Sequence, residues 1–223
     1  MTTEPDPAPR AEPKAYDQVA WPVHRSIRIR EAVPPVAADF LSILEGRRSE
    51  RTLSRAPLRE ILNFLSYATA PRQLWGSGPI RSRRPAHSAG ALHPIEVILV
   101  TGRNPRILRT RPSALLVDVL TASCPEAARR LVAKVQEILP RSECDLIVLI
   151  ADRARVDAYY ENPDQLIMRD AGALMQTLHF CATAARLGFC PLGISGRDLA
   201  DALFERKGSM IGVGVAAVGR SSC

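Results

Sequence analysis

Arg83-Arg84-Pro85-Ala86-His87-Ser88-Ala89-Gly90-Ala91-Leu92-His93-Pro94 runs straight into Ile95-Glu96-Val97-Ile98-Leu99-Val100. The first stretch is basic and carries a glycine. The second is apolar and rich in β-branched residues. Together they read as a loop feeding a buried strand. Ser88, Ala89 and Gly90 have almost no side chain, so their backbone N–H groups can approach a flat or anionic ligand closely. Pro94 fixes the entry into the strand. A plain surface loop with one turn glycine has the same composition, and the flanking segments decide between the two.

Downstream, Leu146-Ile147-Val148-Leu149-Ile150 is a continuous apolar run, the pattern of a central strand. Leu115 to Leu120 reads as a short strand. Ile211 to Val218 reads as a glycine-rich strand closed by Gly219-Arg220. Pro57 opens a helix with Leu58, Ile61, Leu62, Leu65 and Ala68 as its buried stripe. Pro125 opens another, with Ala128, Leu131, Val132, Val135 and Ile138 at helical spacing. The strongest helix runs from 170 to 187. Ala171, Leu174, Met175, Leu178, Ala182 and Ala185 recur on one face, and such small residues suit close packing against another helix or another subunit. Its His179 reads as a core or interface histidine, and Gln176 as a buried polar contact. Gly188 to Ile194 reads as a second glycine-bearing loop, Asp198 to Phe204 as a short helix, and 70 to 83 as a loop containing Trp75.

Upstream, Ala37 to Glu45 is helical, with Phe40, Leu41 and Leu44 on one face, and stops at Gly46. Arg47-Arg48-Ser49-Glu50-Arg51 follows. In an extended segment alternate residues point the same way, so Arg47, Ser49 and Arg51 can converge on one anion as two forks and a hydroxyl. A solvated charge run gives the same pattern. Residues 1–35 hold seven prolines and no apolar periodicity, and read as a flexible tail pinned late by Trp21 and Ile27. Residues 36–223 form the folded domain.

The chain has 223 residues, 46% hydrophobic and 24% charged, which fits one soluble globular domain. No apolar run approaches the ~20 residues that span a bilayer. The start, Met1-Thr2-Thr3-Glu4, is polar and lacks a signal-peptide core, so a cytoplasmic protein is expected. The cysteines are widely spaced, with no Cys-x-x-Cys pair, which argues against a zinc site or a redox dithiol. The net charge of +7 admits nucleic acid. The arginines are scattered, however, and no stacking platform or recognition helix is visible, so a smaller anion such as a phosphate accounts for the clustered arginines as well.

Four separated pieces now line up: Arg47 to Arg51, Ser88 to Pro94, Asp170-Ala171-Gly172 with Gln176 in the small-residue helix, and Gly219-Arg220 after the last strand. In order and spacing they resemble the flavin-dependent nitroreductase superfamily over roughly residues 38–220. The form Ser-Ala-Gly-Ala-Leu-His-Pro looks most like the azole-forming branch, the SagB-type peptide dehydrogenases. Two departures stand out. His87 takes the place of a proline usual before the serine, and Ala158-Tyr159 stands where that branch often has Lys-Tyr.

The resemblance implies an α+β fold, a nitroreductase-like mixed sheet flanked by helices in an intertwined homodimer, with FMN bound at the interface. It places Arg47, Arg48, Ser49 and Arg51 in the FMN-binding segment: Arg47, Ser49 and Arg51 on the phosphate and ribityl chain, with Arg220 closing on the phosphate. Ser88, Ala89 and Gly90 approach the flavin from the partner subunit, and Pro191, Leu192 and Gly193 lie near the isoalloxazine ring. The implied activity is hydride transfer from a peptide-derived or other natural-product substrate to flavin N5, with Tyr159, Tyr160 or His93 as candidate base or acid. The branch also leaves room for an additional biosynthetic subunit. Two alternatives stay open: an NAD(P)H-dependent nitro or quinone reductase, and a non-catalytic flavin-binding or partner subunit. Neither metal, nucleic acid nor membrane is expected.

Overall fold

The structure, a computed structural model, describes residues 5–34, 39–77, 79–204 and 208–221. Met1 to Glu4, the boundary at 35/36, the expected helix start at Ala37, and Cys223 lie outside the described residues. In chain order the strands are β1 (Ala8–Pro9), β2 (Val23–Arg28), β3 (Leu53–Ser54), β4 (Gln73–Trp75), β5 (Arg81–Arg83), β6 (Ile95–Val100), β7 (Ile107–Arg111), β8 (Leu116–Leu120), β9 (Asp145–Asp152), β10 (Tyr160–Glu161), β11 (Gly188–Leu192) and β12 (Met210–Ser221). The helices are α1 (Phe40–Gly46), α2 (Leu58–Thr69), α3 (Glu126–Ile138), α4 (Arg153–Asp157), α5 (Asp164–Ala184) and α6 (Arg197–Leu203).

The main sheet runs β11-β12-β9-β6-β7-β8-β2, and β3 pairs with the end of β12. Where a mixed sheet was expected, every pairing between its described strands is antiparallel. The α+β class stands, with this large sheet flanked by helices. The apolar run of β9 is central, as its composition demands: both faces are covered, so no polar alternation survives. Leu146, Val148 and Ile150 join Ile98, Leu131, Val135, Leu199 and Phe204 on one side, the side of α3 and α6. Ile147, Leu149 and Ala151 join Val97, Leu99, Ile61, Leu65, Leu178 and Ala182 on the other, under α2 and α5. Each such aliphatic side chain contributes roughly 1.5–3 kcal/mol by leaving water.

Several readings change. The segment before residue 36, expected to be a flexible tail, supplies β1 and the edge strand β2, while Trp21 packs edge-on against Phe204 with ring centroids 4.9 Å apart. The second glycine-bearing loop is largely strand β11, at the border of the sheet, where Pro191 needs no inward donor. Residues 70–83 carry the hairpin β4–β5. In α1 the expected apolar face is left outward: Phe40, Leu41 and Leu44 are 60%, 62% and 46% exposed, although Phe40 meets Phe180 of α5 edge-on. Gln176 is also exposed.

Candidate functional site

The glycine loop is built from one buried carboxylate outward. Asp170, on α5, accepts the Ser88 hydroxyl at 2.6 Å and the Ala89 N–H at 3.1 Å. Ser88 Oγ in turn accepts the His93 N–H at 2.9 Å. Burial pushes the Asp170 carboxyl up, against the pull of Ser88, the Ala89 N–H and His87. Behind the loop is a cavity of about 20 Å³, lined among others by Thr69, His87, Ser88 and Asp170, with room for a single water. Gly90, Ala91 and His93 all have positive φ, at 57°, 55° and 46°, so the loop is held in a conformation that L side chains rarely adopt. At Gly90 a side chain is also barred by space: a Cβ there would lie 2.8 Å from the Tyr160 hydroxyl and 3.1 Å from Arg81. Arg81 donates to the Gly90 carbonyl and lies 5.9 Å from the Tyr159 ring centre. The two tyrosines chosen from sequence therefore gather at the loop, Tyr160 with its hydroxyl on Gly90.

His93 joins the loop to the hairpin β4–β5. It is buried, and its Nε2 lies 2.8 Å from the Ser82 carbonyl, which can only accept, so that nitrogen carries the proton. Burial, followed by the charge of Arg84, pushes its pKa down to about 4, against the Ser82 carbonyl. At neutral pH it is a neutral strut between loop and hairpin.

The basic strap, 47–51, is extended and passes beside β11. The Glu50 N–H donates to the Phe189 carbonyl at 3.1 Å, and Ser142 Oγ donates to the Arg51 carbonyl at 3.0 Å. His179 of α5 holds the Arg48 carbonyl at 3.1 Å, with its ring 5.0 Å from that of Phe189. Arg48 turns to Glu50. Arg47 and Arg51 have no carboxylate partner among the described residues, and Ser49 is exposed. Pro191 and Leu192, at the end of β11 opposite Ala216 and Val215, are followed by an exposed Gly193. Arg220 is engaged, gripping both Glu60 oxygens at 2.8 Å.

Strap and loop lean on the same helix through residues nine apart, His179 and Asp170. Nine residues are about two and a half turns, so the two contacts lie on opposite faces of α5 and roughly 13 Å apart along it. Sequence reasoning missed Asp170 and Arg81 as functional residues. The signal for Asp170 was a lone acid entering an otherwise small and apolar helix face; for Arg81 there was none.

No family model and no curated protein matches the chain. Solved structures do. A protein of Ralstonia eutropha assigned as a nitroreductase superposes with a TM-score of 0.67 at 18% identity, covering 95% of this chain and 98% of its own. The chain has the nitroreductase fold. Other proteins with this fold include a nitroreductase-assigned protein of Desulfovibrio desulfuricans in complex with FMN (TM-score 0.54, 14% identity, 84% and 89% covered). A chain of the E. coli microcin synthetase complex McbBCD, bound to truncated pro-MccB17, also matches (TM-score 0.58, 18% identity, 90% and 79% covered). Against this nitroreductase fold, the strap and the glycine loop flank α5. Among the described residues no helix is long and apolar enough to cross a membrane, and no group of three or more His, Cys, Asp or Glu is placed to hold a metal ion.

Proposed function

We propose that the protein is an FMN-dependent oxidoreductase working as a homodimer, in which each flavin lies between the basic strap of one protomer and the glycine loop of the other. The observation that carries this reading is the placement of the two cradles on opposite faces of α5. A ligand gripped by both is then shared between protomers. The outward apolar face of α1 beside α5 supplies surface for such an interface. The residues fit the cofactor. Arg47 and Arg51 are guanidinium forks without carboxylate partners among the described residues, suited to a phosphate dianion, and the Ser88–Gly90 loop is held rigid by Asp170. Arg220 joins the phosphate by exchanging Glu60 for it. Pro191, Leu192 and Gly193 continue from the strap toward the ring.

Bound FMN supplies a hydride acceptor at N5, and the favoured reaction is dehydrogenation of a peptide-derived or other natural-product substrate. Support for that branch comes from the Ser88–Pro94 sequence and from the fold shared with a chain of the microcin synthetase complex. Of the candidate proton carriers, Tyr160 and Tyr159 stand at the loop, whereas His93 has its Nε2–H committed to Ser82. A partner protein in a biosynthetic assembly belongs to the same reading, as does a cytoplasmic location.

The test is to purify the full chain, record its visible spectrum, identify the released chromophore and measure its mass in solution. A yellow dimer releasing FMN, not reduced by NAD(P)H, is the expected result. Bleaching by NAD(P)H would move the reading to the reductase alternative. A colourless protein that cannot be loaded with FMN would sink it in favour of a binding or partner role.

A further inference from the structure

The segment carrying Tyr159 and Tyr160 is anchored in the core by the buried Val156 and Ala158. Beyond them β10 is two residues long, and a short isolated ladder is marginal in water. Its further support comes from the N-terminal segment. β1 pairs antiparallel with β10, Pro9 opposite Tyr160 and Ala8 opposite Glu161. The Arg10 N–H donates to the Tyr159 carbonyl at 2.9 Å and the Lys14 N–H to the Ala158 carbonyl at 2.8 Å. The Arg10 side chain, only 16% exposed, spans the segment from end to end. Its Nε donates to the Asp157 carbonyl at 2.7 Å, one Nη to the Asp157 carboxylate at 3.1 Å and the other to Glu161 at 3.2 Å. Lys14 adds a second cation on Asp157 at 3.0 Å, and the Tyr16 hydroxyl is bonded to Asp152 at the end of β9. Burial raises the Asp157 carboxyl, but Lys14 and Arg10 outweigh it and hold it below the ordinary range.

The same segment touches the glycine loop on its other side. The Tyr160 hydroxyl covers Gly90, and Arg81 links the Gly90 carbonyl to the Tyr159 ring. The chain of contacts is thus Arg10, the 157–161 segment, then the loop.

We propose that residues 8–16 are a strap that sets Tyr160 against the Gly90 loop, with Arg10 as its positioning residue, so that the N-terminal segment shapes the mouth of the proposed flavin site. This rests on the reading that the loop faces a flavin. The guanidinium holds the segment across its length because it grips residues 157 and 161 at once, in a fork that Lys cannot reproduce.

Hydrogen exchange on the full chain tests the strap without reference to activity. Arg10→Ala is expected to speed exchange about tenfold in 157–161 and in 88–93, leaving β9 as it was, with Arg10→Lys between it and the parent. In the FMN-loaded protein, the visible circular dichroism of the bound flavin should change in Arg10→Ala and move back toward the parent in Arg10→Lys. If Arg10→Ala folds poorly, Glu161→Gln, which frees one end of the grip at an exposed side chain, should speed exchange in the same two stretches to a smaller extent. Faster exchange confined to 157–161 would overturn the link to the loop, and no change in either would overturn the strap. A protein that shows the exchange pattern but never binds FMN would keep the strap and remove only the flavin reading.

Discussion

The glycine loop and the basic strap flank the same helix and are built on opposite plans. In the loop the polar groups hold one another: Asp170 holds Ser88 and Ala89, Ser88 holds His93, and His93 holds Ser82. Its backbone shape is complete before any ligand arrives. The strap is fixed by its main chain, through Phe189, Ser142 and His179, while Arg47 and Arg51 have no carboxylate partner among the described residues. One cradle offers shape and the other offers charge. Pre-paid backbone order lowers the cost of ordering on binding, while unpaired guanidiniums supply the attraction.

The strongest way to break this contrast is Arg47→Ala with Arg51→Ala. Each charged pair is worth about 1.5–3 kcal/mol, so FMN affinity should fall a hundredfold or more. Unfolding should stay within about 1 kcal/mol of the parent, since neither side chain holds the fold. Flavin fluorescence titration and denaturant melts read the two, and retained FMN would remove the strap from the site. Next comes acid. The folded pKa of His93, about 4, lies below the unfolded value near 6.5. The stability it contributes is present above 6.5 and is lost as pH falls toward 4, by about 3 kcal/mol across the window. Asp170, whose carboxyl is raised, works in the opposite direction. The comparison is therefore parent against His93→Gln, melted in denaturant at pH 7.5 and 4.5, with the parent losing more. Equal losses would mean that His93 is not the buried neutral strut. The smallest expected effect sharpens the contrast instead of breaking it. Glu60→Gln frees Arg220 for a phosphate, and because this is a half-exposed pair the gain in FMN affinity should be only about two- to fivefold. Weaker binding would show that Arg220 does not serve the phosphate.

The parts of the fold that bury both faces were the legible ones. The runs 95–100 and 146–150 and the helical stripes of α2, α3 and α5 announce themselves because each apolar position has a fixed period and a core to meet. Leu58, predicted in the stripe of α2, is 38% exposed, so even there the edge of a stripe was uncertain. β11 was hidden by Gly188 and Pro191, turn residues that an edge strand tolerates because one side of its ladder faces no partner. β2, exposed along its whole length, has no periodicity to show. In the site, the glycine loop and the tyrosines were visible as residue types. The roles of Asp170 and Arg81 come from contacts 81 and 9 residues away along the chain, which no local pattern encodes.

β2 ends the main sheet with Val23 and Ile27 among His24, Arg25 and Arg28, and its register slips between Val23 and Arg25. A charged, irregular border is a poor template for another sheet. A chain shortened past residue 28 would trade that border for β8, whose backbone N–H and C=O groups would lose their partners and leave an open edge ready to recruit its neighbours into aggregates.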